Sequence, residues 1–112
     1  MNAEENVRCL DDGTELTTFT KEFEGFNALE AEVGTTGYRG GDTGHGCRAY
    51  IALRDVVSTD IRVKIVKSKY GGNDGIEVVL GGDSELSTAI EALEFITKTL
   101  KKEVKRNSTE NY

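Results

Sequence analysis

The sequence predicts an α+β domain: a four-stranded antiparallel β-meander with one C-terminal α-helix packed on one face. Three observations predict it. Apolar residues recur at every second position in four separate runs between Asn27 and Leu80. Short, mostly glycine-bearing connections join those runs. A segment with helical apolar spacing follows from Ser84.

In the first run Leu29, Ala31 and Val33 share one face and Glu30 and Glu32 the other. In the second, Cys47, Ala49, Ile51 and Leu53 alternate with Arg48, Tyr50, Ala52 and Arg54. Ile61, Val63 and Ile65 alternate with Arg62, Lys64 and Val66 in the third. After the turn Tyr70-Gly71-Gly72-Asn73-Asp74-Gly75, Ile76, Val78 and Leu80 face away from Glu77 and Val79. Parallel pairs need crossovers longer than these connections, so the strands are predicted antiparallel. Their second face mixes Glu30, Glu32 and Glu77 with Arg48, Arg54, Arg62 and Lys64. It suits either a solvated surface with cross-strand charge pairs or an interface.

Gly81-Gly82 ends the fourth strand. Asp83 is the expected N-cap and Glu85 favours the first turn. The helix should run from about Ser84 to about Lys105. Its expected buried stripe is Leu86, Ala89, Ile90, Leu93, Ile96 or Thr97, Leu100 and Val104. Lys98, Lys101, Lys102, Lys105 and Arg106 suit the negative end of the helix dipole. The expected organisation is a semi-ordered arm over residues 1–25, a ββββα domain over 26–106 and a disordered tail over 107–112. Leu16, Phe19, Phe23 and Phe26 would anchor the arm, with a short strand around Leu16–Phe19.

The 112 residues amount to one domain with a modest core, which self-association would help to stabilise. Fourteen Lys and Arg against 20 Asp and Glu leave a net charge of −6. Direct nucleic-acid binding through a broad basic surface is therefore not expected, because phosphate contacts need clustered cations. No apolar run is long enough to span a membrane, and the N-terminus lacks the basic and apolar regions of a secretory signal. The expected compartment is the cytoplasm. Cys9 and Cys47 lack Cys-x-x-Cys spacing, and one histidine cannot complete a usual zinc site. Reduced thiols are expected, with Cys47 packed on the apolar side of its strand. No metal or cofactor is expected.

The segment Gly34-Thr35-Thr36-Gly37-Tyr38-Arg39-Gly40-Gly41-Asp42-Thr43-Gly44-His45-Gly46-Cys47-Arg48 stands out. It holds the only histidine, and five of the chain's 13 glycines fall between Gly37 and Gly46. Glycine costs conformational entropy on folding, so such density marks a shaped loop rather than a linker. The candidate ligand- or partner-binding residues are Thr36, Tyr38, Arg39, Asp42, His45 and Arg48. Backbone amides at Thr35, Thr36 and Gly37 and from Gly40 to Gly46 suit an anion nest, with Arg39 and Arg48 supplying charge. Tyr38 suits stacking, and Asp42 and His45 suit sugar or base edges. Each also has a structural reading: Asp42 as an Asx-turn, His45 as a turn residue, Tyr38 as packing. Neither the P-loop nor the dinucleotide fingerprint matches, and no Gly-x-Ser-x-Gly elbow is present.

The same block, with Gly81-Gly82-Asp83-Ser84-Glu85-Leu86 leading the helix, resembles small uncharacterised proteins of Gram-positive bacteria and their phages or mobile elements, over about Ala28 to Lys102. That resemblance carries no reaction. Its size and context imply a non-catalytic anti-defence protein that inhibits a host immune component. The implied partners are a host defence protein, as for anti-CRISPR proteins, or a sequestered nucleotide signal; a homo-oligomer is possible. Two alternatives stay open: a small metal-free hydrolase or transferase using His45 and Asp42, and a structural assembly protein.

Overall fold

The computed structural model of the protein describes residues 3–42 and 44–108. Six strands and one helix follow in order: β1 (Glu4–Cys9), β2 (Glu15–Glu24), β3 (Ala28–Thr35), β4 (Ala49–Val57), β5 (Ile61–Val66), β6 (Gly75–Leu80) and α1 (Asp83–Asn107). The α+β class, the four-stranded antiparallel sheet and the C-terminal helix are all present. The membership of the sheet differs from expectation. It is built of β1-β2-β3-β4, while β5 and β6 pair only with each other as a separate antiparallel ribbon.

Residues expected as an arm thus supply half of the main sheet. The turn between β1 and β2 carries Asp12-Gly13. Gly13 takes a φ of +88°, and the Thr14 amide donates to the Asp12 carboxylate at 3.0 Å. Asp-Gly between two runs is a hairpin signal, because both turn positions favour residues that tolerate positive φ. The alternation of β2 is masked by threonines: Phe19, Lys21 and Phe23 face the helix, and Thr18, Thr20 and Glu22 face away. Thr18 is fully buried all the same, and threonine suits a strand.

The core lies between β3 and α1. Leu29, Ala31 and Val33 are completely buried and meet Ala89, Ala92 and Ile96, with Phe23 closing one side. Small residues at Ala31 and Ala92 let the helix approach the sheet closely. This seam differs from the expected stripe. Thr88, Ala89, Ala92, Ile96 and Glu103 are the buried helix residues, whereas Leu86, Ile90 and Leu93 are 60%, 50% and 53% exposed. Phe95, on the opposite flank, reaches Phe23 of β2 with ring centroids 5.6 Å apart.

Polar side chains tie the helix start to the sheet. Asn27 Nδ2 donates to Thr59 Oγ1 at 2.9 Å and Thr88 Oγ1 at 3.1 Å, and Ser84 Oγ donates to Asn27 Oδ1 at 2.6 Å. Thr59 Oγ1 also donates to the Ala28 carbonyl at 3.0 Å. Asp83 is not the N-cap: Gly82 holds that position at a φ of +117°, and no side chain caps it. Leu16 and Phe23 are buried as anchors, but Phe26 is 97% exposed in the β2–β3 turn. The expected disordered tail begins at Asn107, yet Asn107 ends α1 and Ser108 caps it; residues 109–112 lie outside the described residues. No helix among the described residues is long and apolar enough to cross a membrane.

Candidate functional site

The glycine-rich loop joins β3 to β4 and lies against the C-terminal end of α1. Gly37 makes that approach possible. Its φ is +77°, and a Cβ there would sit 2.6 Å from the Ser108 amide nitrogen. The Tyr38 amide then donates to Ser108 Oγ at 3.0 Å, and the Arg39 guanidinium donates to the Asn107 carbonyl at 2.8 Å. Asn107 Nδ2 in turn donates to the Thr35 carbonyl at 3.1 Å. Carbonyls at a helix C-terminus have no partner within the helix, so this loop serves as the cap.

The other candidate residues also have partners within the chain. Thr36 and Arg48 face each other across the loop base: the Arg48 amide donates to Thr36 Oγ1, and the Thr36 amide donates to the Arg48 carbonyl, both at 3.0 Å. The Arg48 guanidinium pairs with Asp12 of the β1–β2 turn at 2.7 Å and holds that carboxyl down at about 2. Asp42 forms the Asx-turn, its carboxylate accepting the Gly44 amide at 3.0 Å. The His45 amide donates to the Asp42 carbonyl, so the bond between these two residues is a backbone bond. His45 and Tyr38 are exposed, and Thr43 lies outside the described residues. Thr36 and Arg39 border a shallow depression of about 320 Å³. The structure thus gathers Thr36 with Arg48 and Arg39 with the helix end; it does not gather all six around one point. Cys47, expected to be packed in its strand, is exposed ahead of β4, and Cys9 is also an exposed free thiol.

A second arrangement occupies the sheet face opposite α1. Glu32, at its centre on β3, is almost wholly buried. Arg8 of β1 grips it with two bonds of 3.0 and 2.8 Å, Thr18 of β2 donates at 2.6 Å, and Arg54 of β4 reaches it at 2.9 Å. Arg54 also bonds Glu30 at 3.0 Å and the Tyr50 hydroxyl at 2.9 Å, while Arg8 stacks 4.5 Å from the Tyr50 ring centroid. The Arg8 bonds outweigh the cost of burial and, with Thr18 and Arg54, hold the Glu32 carboxyl at about 2. Burial pulls the Arg54 guanidinium down, but Glu32 and Glu30 outweigh it and the net shift is upward. Each charge here has its counter-charge in place. The arrangement is a cross-strand clamp spanning all four strands.

A third arrangement is an open groove of about 590 Å³ between β2 and α1. Three rings line it: Phe19, Phe23 and Phe95. Three ammonium groups border it: Lys21, whose Nζ lies 5.5 Å from the Phe23 ring centroid, with Lys98 and Lys102 on α1. Glu91, Glu94 and Glu103 also line it, so the groove carries as many acids as lysines. Aromatic rings with lysines beside them can take a flat ligand whose negative charge lies on the lysine side, away from the glutamates. The sequence places Lys98 and Lys102 at the negative end of the helix dipole, pairs Lys98 with Glu94, and gives Phe19 and Phe23 an anchoring part. The signal was the i,i+4 spacing of Lys98 and Lys102, which places both on one flank beside Phe95. Among the described residues no group of His, Cys, Asp and Glu could hold a metal ion.

Comparison with protein-family models, with curated proteins and with solved structures finds no match to this chain.

Proposed function

We propose that the protein acts by binding without turnover. Its ligand is a flat aromatic anion of the nucleotide class held in the β2–α1 groove, and its role is that of an anti-defence protein sequestering a nucleotide signal. The observation that carries this reading is the groove itself, with three aromatic rings and three lysines along its walls in a volume that suits a nucleotide-sized ligand. The glycine block supports the anti-defence context through its resemblance to proteins of phages and mobile elements. The loop's own geometry favours a structural part for it: Arg39 caps the helix, Arg48 pairs with Asp12, and Asp42 closes a turn. The reading through His45 and Asp42 as an acid–base pair has less support, because their bond joins backbone atoms.

The test is titration with a fluorescent adenosine diphosphate analogue, together with mass spectrometry of material released on heating. Expected are saturable binding that weakens with added salt and a loss of at least tenfold in Lys98→Glu/Lys102→Glu. His45→Ala should bind as the parent does. Absence of both binding and released nucleotide, or indifference to the lysine reversals, overturns the reading.

A further inference from the structure

The other flank of α1 carries a different message. Leu86, Ile90 and Leu93 stand there, half or more exposed, on the side away from Phe95 and β2 and therefore toward β4. The β5–β6 ribbon shows the same thing. Its register pairs Ile61 with Leu80, Val63 with Val78 and Ile65 with Ile76, so all six side chains share one face. Ile61 and Leu80, at the base, pack against the core. Beyond them the face emerges from cover: Val78 is 40% exposed, Val63 59%, Ile76 69% and Ile65 71%. An isolated two-stranded ribbon is marginal in water, and an apolar face on one is costly to leave bare.

We infer that this protein forms a two-fold dimer in which the apolar face of each β5–β6 ribbon covers the Leu86–Ile90–Leu93 flank of the partner's helix. The extent of the bare surface selects a second copy as the occupant. The seven side chains leave roughly 700 Å² of apolar surface bare, close to the ~800 Å² that each partner contributes to a stable interface. One chain offers both halves of the contact, a ribbon face and a helix flank, so a two-fold axis sets each ribbon on the partner's helix twice over, which is the reciprocity an isologous interface requires. The groove lined by Phe19, Phe23 and Phe95 is on the opposite flank, so dimer formation and ligand binding are read independently.

Sedimentation velocity of the full chain tests the inference. Expected is a species of twice the chain mass at micromolar concentration. Leu93→Asp on the helix and Ile65→Asp on the ribbon should each weaken dimerisation at least 100-fold with the far-UV circular dichroism of the parent retained. Both positions are exposed, so neither exchange disturbs the buried seam. A wild-type monomer at 100 µM (about tenfold above that range) overturns the inference. So does a dimer that survives either substitution, since reciprocal packing requires both elements.

Discussion

The two flanks of α1 are built on opposite logics. On the β2 side Phe95 meets Phe23, and lysines and glutamates line a groove. On the β4 side Leu86, Ile90 and Leu93 stay half or more exposed. Between them runs the sealed seam, with Ala89, Ala92 and Ile96 at its centre and Thr88 and Glu103 at its ends. A helix can therefore show one broad apolar stripe in sequence while its own sheet uses only part of it. The remainder is left half or more exposed.

Substitutions along the helix probe this contrast most strongly. Ile96→Ala should cost about 3 kcal/mol in urea unfolding, since a large side chain is removed from the sealed seam. If Ile96→Ala proves nearly neutral, the seam has been misplaced. On the far side of the sheet, Glu32→Gln should cost about 2 kcal/mol, because Arg8 and Arg54 lose the charge between them while their half-exposed guanidiniums stay partly solvated. The pH dependence has a definite sign. Glu32 is held at about 2 against an ordinary value of 4.5, so its contribution is complete above pH 4.5 and is lost as pH falls toward 2. Thermal unfolding of the parent should thus fall more steeply across that window than that of Glu32→Gln; parallel curves would remove the clamp from the account.

Smaller effects sharpen the comparison further. Gly37→Ala should cost about 1.5 kcal/mol, from positive φ and from crowding against Ser108. Native-state hydrogen exchange should then speed up in the last turn of α1 and leave its first turn unchanged. Leu86→Ser should change the folding stability of the chain by no more than about 0.5 kcal/mol, as befits a position with little cover. A cost near that of Ile96→Ala would show that the bare flank is sealed after all.

How much of this was legible in the sequence follows from the same physics. The runs at Leu29–Val33, Ala49–Leu53, Ile61–Ile65 and Ile76–Leu80 alternate cleanly and are strands. Pairing was not legible, because alternation names a face and not a neighbour. β1 was hidden: Glu4, Asn6 and Arg8 face the charged clamp, and Val7, on the other side, is exposed. Its strand character comes from Asp12-Gly13 and from Glu32, a carboxylate that needs a cation above it. The glycine loop was rightly read as contorted, with Gly37 and Gly40 both at positive φ. Its purpose was not visible, because capping depends on where a helix more than forty residues later ends. The groove was missed because its two walls come from segments that the sequence offers no reason to place side by side.

The Asn27 cluster has a kinetic consequence. Thr59 stands just before β5 and Ser84 just after β6, and one asparagine amide bonds both. The ribbon is thereby rooted at both ends on a single point of the sheet. For the dimer inferred above, Asn27→Ala would release that hinge, and the ordering entropy of a wandering arm would then slow association. One buried amide would thus set the tempo of an encounter in which it takes no part.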